Sequence, residues 1–388
     1  MHSFYILSKR RLMWERLVIL ESVIIFFMRK LIQYIKKNPL HVLLLAFPFA
    51  VLADAFHWGA GWVFGLSAVG VIPLAGLIGD ATENLASHTG PRVGGLINAS
   101  LGNAAELIIT LFAIKKGLLE LVKASITGSI IGNLLFVLGL SILAGGLKNG
   151  IQHFDRRQTG NNIILLTIAL VGLAIPSLFS HSTANGISQH VEVLSLSVAG
   201  VMILLYALGI IFSLKVKPDS GIGFPAEKAT DLNGEWSVRK SLIVLALATG
   251  GIVWMSELLV GSVEAVVAGT GISEFFLGII LVPVIGNIAE HLVAVTVAVK
   301  NKMELSMEIA VSSSLQIALF VAPVLVFISL FMGNPLTLVF NPFELAALGS
   351  AVVISYFVSA DGESSWLEGA ALLAVYIIFG LAFFIFPS

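Results

Sequence analysis

A chain of 388 residues with 57% hydrophobic and only 12% charged positions is far from a soluble domain, where about a quarter of residues are charged. Its net charge of −1 argues against a nucleic-acid partner. The absence of cysteine excludes disulfides, thiolate metal sites and thiol catalysis.

The first 38 residues mix Lys9, Arg10, Arg11 and Arg16 with a short apolar run over 17–28. That run holds Glu21 and lacks a small-residue cleavage site, so it reads as a basic cytoplasmic segment, or an extension ahead of Met28, rather than a signal peptide. Uncharged runs then recur to the end of the chain, each near the ~20 apolar residues that cross a bilayer. Long runs rather than short alternating strands point away from a membrane barrel. The fold class is therefore an all-α polytopic membrane protein. Charged and Pro/Gly/Asn-rich breaks divide it into about eleven spans. They fall near 40–56, 60–87, 93–114, 124–146, 161–179 and 191–214, then 241–268, 275–299, 304–331, 341–359 and 366–386.

The expected organisation is a segment 1–38, a first span 39–59, a five-span repeat 60–214, a cytoplasmic linker 215–240 and a second five-span repeat 241–388. Mixed charge and Pro218, Gly221, Gly223 and Pro225 make the linker a dispensable connector rather than a packed membrane element. Lys36, Lys37, Arg92, Arg156, Arg157, Lys215, Lys217, Arg239, Lys240, Lys300 and Lys302 fall on one side of this arrangement, against mainly Lys115, Lys116 and Lys123. The positive-inside rule makes that side cytoplasmic, with the N-terminus inside and the C-terminus outside.

The two halves resemble each other. "GNAAELI" at 102–108 returns as "GNIAEHL" at 286–292, and the same 184-residue offset carries Ser129 onto Ser313 and "LFV" at 135–137 onto 319–321. Glu106 falls on the third span and Glu290 on the eighth. An odd separation makes the copies antiparallel, the inverted-repeat plan that places transport sites near the midplane.

Positions i and i+3 share a helix face, so Asn103 points with Glu106 and Asn287 with Glu290. Ser129 and Asn133 in "ITGSIIGNLL", and Ser313 and Gln316 in "AVSSSLQIAL", add amides and hydroxyls. Each half thus offers a carboxylate and neutral oxygens, and hard cations such as Ca²⁺ take 6–8 oxygen ligands. Ser and Asn in membrane helices also serve simply as interhelical hydrogen bonders. An acid at mid-span is different, because insertion there costs roughly 2.5–3.5 kcal/mol. Glu83 and Glu264 lie one span earlier, where a proton or gating role stands beside plain hydrogen bonding. His291, next to Glu290, tunes that acid or is a packing residue. Asp54, Asp80, His57 and His88 lie near span ends and read as solvated.

These motifs, with "GPRVGGLINASLGNAAELI" and "NKMELSMEIAVSSSLQIALFVAPV", resemble the cation/proton exchanger (CAX) family of the Ca²⁺/cation antiporter superfamily. The resemblance spans residues 40 to 388 and implies an eleven-span exchanger moving Ca²⁺ out of the cytoplasm against inward H⁺ flow. It places the central cation ligands on Glu106 and Glu290, with Asn103, Asn287, Ser129, Asn133, Ser313 and Gln316 lining the site. It also departs from the family: residues 215–240 lack the acidic character associated with regulation, and the basic segment before residue 39 lies outside the family core.

The expected substrates are Ca²⁺ and H⁺, competing for one pair of acids. The expected surroundings are the lipid bilayer, with no cofactor and no nucleic acid, and a homo-oligomer is compatible with the chain. A Na⁺-driven Ca²⁺ exchanger and a broader divalent (Mn²⁺) exchanger are the alternatives. A channel would need an open pore rather than a neutralising pair, and no intramembrane enzyme motif is present.

Overall fold

The breaks between spans carry the residues that start and stop helices, and the helices follow. The computed structural model describes residues 39–89, 101–181, 188–215 and 236–386. Residues 1–38 and most of the linker 215–240, with Arg92 and the 93–100 part of the third expected span, lie outside them. The chain divides at Leu45 into two units. Of the first, Pro39–Leu45 is a 3-10 helix, and the rest of this description concerns the second.

In chain order the helices are α1 (Ala46–Ala55), α2 (Ala60–Thr89), α3 (Ala104–Lys116), α4 (Leu119–Asn149), α5 (Arg156–His181) and α6 (Ser188–Lys215). After the linker come α7 (Val238–Thr270), α8 (Glu274–Val299), α9 (Met303–Met332), α10 (Pro342–Ser359) and α11 (Trp366–Ile385). Among the described residues nine of these are long and apolar enough to cross a membrane, α1 and α3 being shorter. The protein is an all-α, multi-pass integral membrane protein, as its composition requires.

Local chemistry sets the ends. Gly117 and Gly271 adopt left-handed φ values of 78° and 73° and close α3 and α7, a conformation costly for residues with a Cβ. Ser237 caps α7 by accepting the Lys240 N–H, and Ser273 opens α8 by accepting the Phe276 N–H. Asn341 with Glu344, and Ser365 with Glu368, form capping boxes at the starts of α10 and α11.

Hydrogen bonds gather alternate ends of the helices. At one end, Asn149, the last residue of α4, donates to the Ala298 and Val299 carbonyls of α8, and Gln152 donates to Ala298 O and Asn301 Oδ1. There β1 (Gln152–His153) also pairs antiparallel with β2 (Glu363–Ser364) before α11. At the other end, Asn334 after α9 donates to the Ile114 carbonyl, and Glu274 accepts the Leu121 N–H at the start of α4. Connections separated by an even number of helices thus share an end, as a membrane-crossing chain demands.

α4 is the most enclosed of the long helices, and α2 and α7 pack together along their lengths. α4 and α8 cross backbone to backbone. A Cβ on Gly128 would stand 2.0 Å from the Ile279 carbonyl oxygen, and one on Gly278 2.8 Å from that of Leu121. Only hydrogen at both positions allows this approach. The chemistry beside it is consistent: Pro283 has no N–H, so it cannot take the carbonyl four residues back, which is Ile279. Here α8 widens into a π-helical turn at Leu277–Leu281, and similar turns interrupt α4 at Gly132–Val137 and α9 at Ile317–Val321.

Candidate cation site

The crossing of α4 and α8 delivers polar side chains from four helices to one buried place. Glu106, in the first turn of α3, is 1% exposed. Its Oε1 accepts hydrogen bonds from the Ser129 and Ser125 hydroxyls of α4, the latter at 3.4 Å. Its Oε2 accepts from Asn287 Nδ2 of α8 at 3.2 Å. The ordered neighbours exist because α8 runs past Glu106 at Gly286, where even a Cβ would lie within ordinary contact of the Glu106 backbone.

The partner acid is built from the same parts. Glu290 Oε2 accepts from the Ser313 hydroxyl of α9 at 3.0 Å, the same 23-residue relation that joins Ser129 to Glu106. Asn133 of α4 donates to Ser313 Oγ at 3.0 Å, and Asn103 donates to Gln316 Oε1 at 2.9 Å. Four hydrogen bonds within this set, Asn103–Gln316, Asn287–Glu106, Asn287–Ser129 and Asn133–Ser313, therefore cross between the halves. The eight residues singled out from the motifs fall into three hydrogen-bonded groups, Glu106 with Ser129 and Asn287, Glu290 with Ser313 and Asn133, and Asn103 with Gln316, on α4, α8, α9 and the start of α3.

The unmade bonds matter as much as those made. Asn287 spends its amide N–H groups on Glu106, on Ser129 Oγ at 3.5 Å and on the Pro283 carbonyl, which leaves its Oδ1 buried without a partner. Asn103 Oδ1 is likewise buried and unpartnered. A buried polar atom with no hydrogen bond costs about 1–3 kcal/mol. Both repeats bear this cost at the same motif position, and both orphans are carbonyl oxygens, which accept hydrogen bonds or coordinate cations but cannot donate. Carboxylate, hydroxyl and amide oxygens without sulfur or imidazole form a hard-cation donor set.

The halves are not identical. Glu106 is wholly enclosed, whereas Glu290 and Gln316 are partly exposed. His291 is buried, with Nδ1 unpartnered and its ring edge-on to Phe136 at 6.2 Å, and no hydrogen bond joins it to Glu290. Glu83 and Glu264 are exposed on α2 and α7, and neither is hydrogen-bonded to the eight-residue site.

Two contributions escaped the motif reading. Ser125 lies four residues before Ser129 on the same face of α4, a spacing that marked it in retrospect. Glu344 is a third buried acid, 1% exposed, held by Thr127 Oγ1 at 3.0 Å and by the Asn341 N–H at 2.7 Å. Its signal was the capping-box pattern "NPFE". Each of its carboxylate oxygens accepts one of these bonds, and it shares no hydrogen bond with the eight residues above.

The family model described as sodium/calcium exchanger protein matches residues 59–215 and 240–385, the two stretches on either side of the linker. A Ca²⁺/H⁺ antiporter of Aphanothece halophytica is 44% identical over 362 residues, covering 89% of this chain and 96% of its own. The Ca²⁺/H⁺ antiporter ChaA of Bacillus subtilis strain 168 is 44% identical over 342 residues, 87% of this chain and 96% of that one. Among solved structures, native YfkE superposes with a TM-score of 0.78 at 41% identity, over 89% of this chain and all of the other. With both halves matched and relatives this similar over nearly their full lengths, the chain belongs to the sodium/calcium exchanger protein family.

Proposed function

We propose that this chain is a Ca²⁺/H⁺ antiporter that moves Ca²⁺ out of the cytoplasm in exchange for protons. The observation that carries the reading is the pair of orphaned asparagine carbonyls, at the same motif position in each half, three residues before an acid that accepts a serine hydroxyl, in a chain whose 44%-identical relatives bear that name. An ionised carboxylate in a low-dielectric interior is costly. Protons relieve that cost one per acid, and a divalent cation shared by Glu106 and Glu290 relieves it at once. Either loaded state is neutral at the pair, the empty charged state is not, and competition between the loads couples the two flows.

Asn103 and Asn287 supply neutral oxygens, Ser129, Ser125 and Ser313 orient the carboxylates, and Asn133 and Gln316 tie the halves together. Rocking of one bundle against another around the site would give alternating access. In the basic-side-inside orientation, the partly exposed Glu290 lies toward the cytoplasmic end of α8 and meets the incoming cation first. Glu83 and Glu264 belong to a separate proton or gating role on α2 and α7, and His291 conditions the Glu290 side.

The deciding measurement is ⁴⁵Ca²⁺ uptake into proteoliposomes with an imposed pH gradient, with and without Na⁺. Uptake driven by the pH gradient alone is expected. Uptake that requires a Na⁺ gradient would establish the sodium-driven reading that the family's name also admits, and flux without either gradient's influence would mark a channel.

A further inference from the structure

We infer that a second site, away from the acids, binds one anionic glycerophospholipid at the membrane edge where α5 begins and α10 ends. A cleft of about 540 Å³ opens between these two helices, which pack against each other. It is lined at its polar end by Asp155, Arg156, Arg157 and Asn161, and at its apolar end by Ile164 and Tyr356.

Charge decides what the cleft takes. Two guanidiniums against one carboxylate leave it net positive. The carboxylate is already engaged: Asp155 Oδ1 accepts the Arg157 and Gln158 N–H groups at 2.8 and 3.2 Å. The helix start is thus satisfied from within, and the available anion binders are the guanidiniums themselves. Both arginines are exposed, and among the described residues neither is in an ion pair. A planar guanidinium grips phosphate oxygens in pairs, and it does so better than an ammonium.

The surface below the cleft selects a lipid rather than a free anion. Ile164 in the cleft wall, Ile168 one turn further along α5, and Val353 one turn back along α10 from Tyr356 are large exposed apolar side chains. They offer an acyl chain a continuous path from the phosphate toward the bilayer interior. Tyr356, half exposed with its ring in the cleft wall, sits where an amphipathic ring belongs at a membrane surface. Basic pockets between membrane helices recognise anionic headgroups by this combination. The shared chemistry is a phosphodiester with one net negative charge and at least one hydrocarbon tail.

The test uses the full-length chain, delipidated in detergent, with phosphatidylglycerol, phosphatidylcholine and inorganic phosphate as separate probes. Lipid retained is counted by native mass spectrometry and stabilisation is read by thermal unfolding. Wild type should retain phosphatidylglycerol about tenfold better than phosphatidylcholine, a difference set by the ionic contacts. Arg156→Gln with Arg157→Gln should erase that preference. Arg156→Lys with Arg157→Lys, which keeps the charge and loses the fork, should cut phosphatidylglycerol retention by about threefold. Lys300→Gln with Lys302→Gln, at the same membrane edge and outside the cleft, should leave it unchanged. Equal retention of both lipids, or an equal loss in the Lys300/Lys302 pair, would overturn the proposal. So would a thermal shift from inorganic phosphate as large as that from phosphatidylglycerol. If the glutamine pair does not fold, the lysine pair decides, and unaltered retention there has the same consequence.

Discussion

Glu290 and Glu106 each accept a serine hydroxyl from the same half of the chain, and their proposed work requires ionisation. Glu290→Gln and Glu106→Gln keep the shape and accepting oxygen of a protonated acid, so the hydrogen bonds from Ser313 and Ser129 can persist. Thermal stability without Ca²⁺ should hold or rise, because a potential buried charge is gone. Exchange should fall to background in both. Saturating Ca²⁺ at about 100 times its Kd stabilises a binding protein by about 2.7 kcal/mol. That shift should appear in wild type and shrink in either variant. Near-wild-type uptake by Glu290→Gln would show that Ca²⁺ and H⁺ do not share this carboxylate. The same competition sets a pH dependence with a definite sign. Acids must lose their protons to ligate, so apparent Ca²⁺ affinity should fall as pH falls. In the range where both acids are protonated, it should fall by up to about a hundredfold per pH unit, one factor of ten per displaced proton. Ca²⁺ titration by calorimetry across a pH series, in buffers of differing ionisation heat, counts those protons. Affinity independent of pH would contradict the coupling.

At the scale of helices, the site depends on how closely α4 and α8 approach. Gly128→Ala puts a methyl carbon into the Ile279 carbonyl oxygen, and backbone cannot yield as a side-chain tip can. Overpacking costs about 1–3 kcal/mol or more, against a gain of about 1 kcal/mol from replacing a mid-helix glycine. Net loss of stability is expected, together with loss of Ca²⁺ binding as Ser129 is carried away from Asn287. Gly250→Ala in α7 meets nothing within 4 Å and should be neutral or stabilising by up to about 1 kcal/mol. Thermal unfolding of the two variants separates space from propensity, and equal behaviour would mean the crossing is looser than described. Glu344 belongs to this scale as well. Glu344→Ala removes the reciprocal half of the α10 capping box and orphans Thr127. A loss of about 1–2 kcal/mol is expected, while proton-driven Ca²⁺ uptake per folded molecule stays at wild-type rate. Abolished uptake in a folded Glu344→Ala protein would instead draw Glu344 into the transport cycle.

For the whole molecule, the absence of native cysteine makes topology directly measurable. Asn149, Gln152 and Asn301 meet at one end of the helices, and Asn334 meets the end of α3 at the other. Single cysteines at Lys148, Lys300 and Asp361 should therefore label from one side of the membrane, and those at Lys116 and Asn334 from the opposite side. In sealed inside-out vesicles, an impermeant maleimide should reach the first group and not the second, because the basic side faces the cytoplasm. Reaction of Lys116 and Lys300 cysteines from the same side would break the inverted arrangement of the halves.

The span pattern, the repeat and the paired acids were legible in the sequence because hydrophobicity is periodic, internal repetition preserves motif spacing, and acids stand out against apolar runs. The repeated "GN" before each acid even located the two asparagines whose carbonyls are left unpartnered. What the sequence could not supply is anything decided by one helix meeting another. No local rule says that Asn287 turns to Glu106 while Asn103 turns to Gln316, that Ser125 joins the first acid, or that Glu106 is enclosed while Glu290 is partly open. Nor does spacing say that Glu344 is buried, or that Arg156 and Arg157 share a cleft with Tyr356, 199 residues further on. Those facts belong to tertiary structure, because they follow from backbone contact at Gly128 and Gly278 and from the packing of α5 on α10, which join residues that no stretch of sequence brings together.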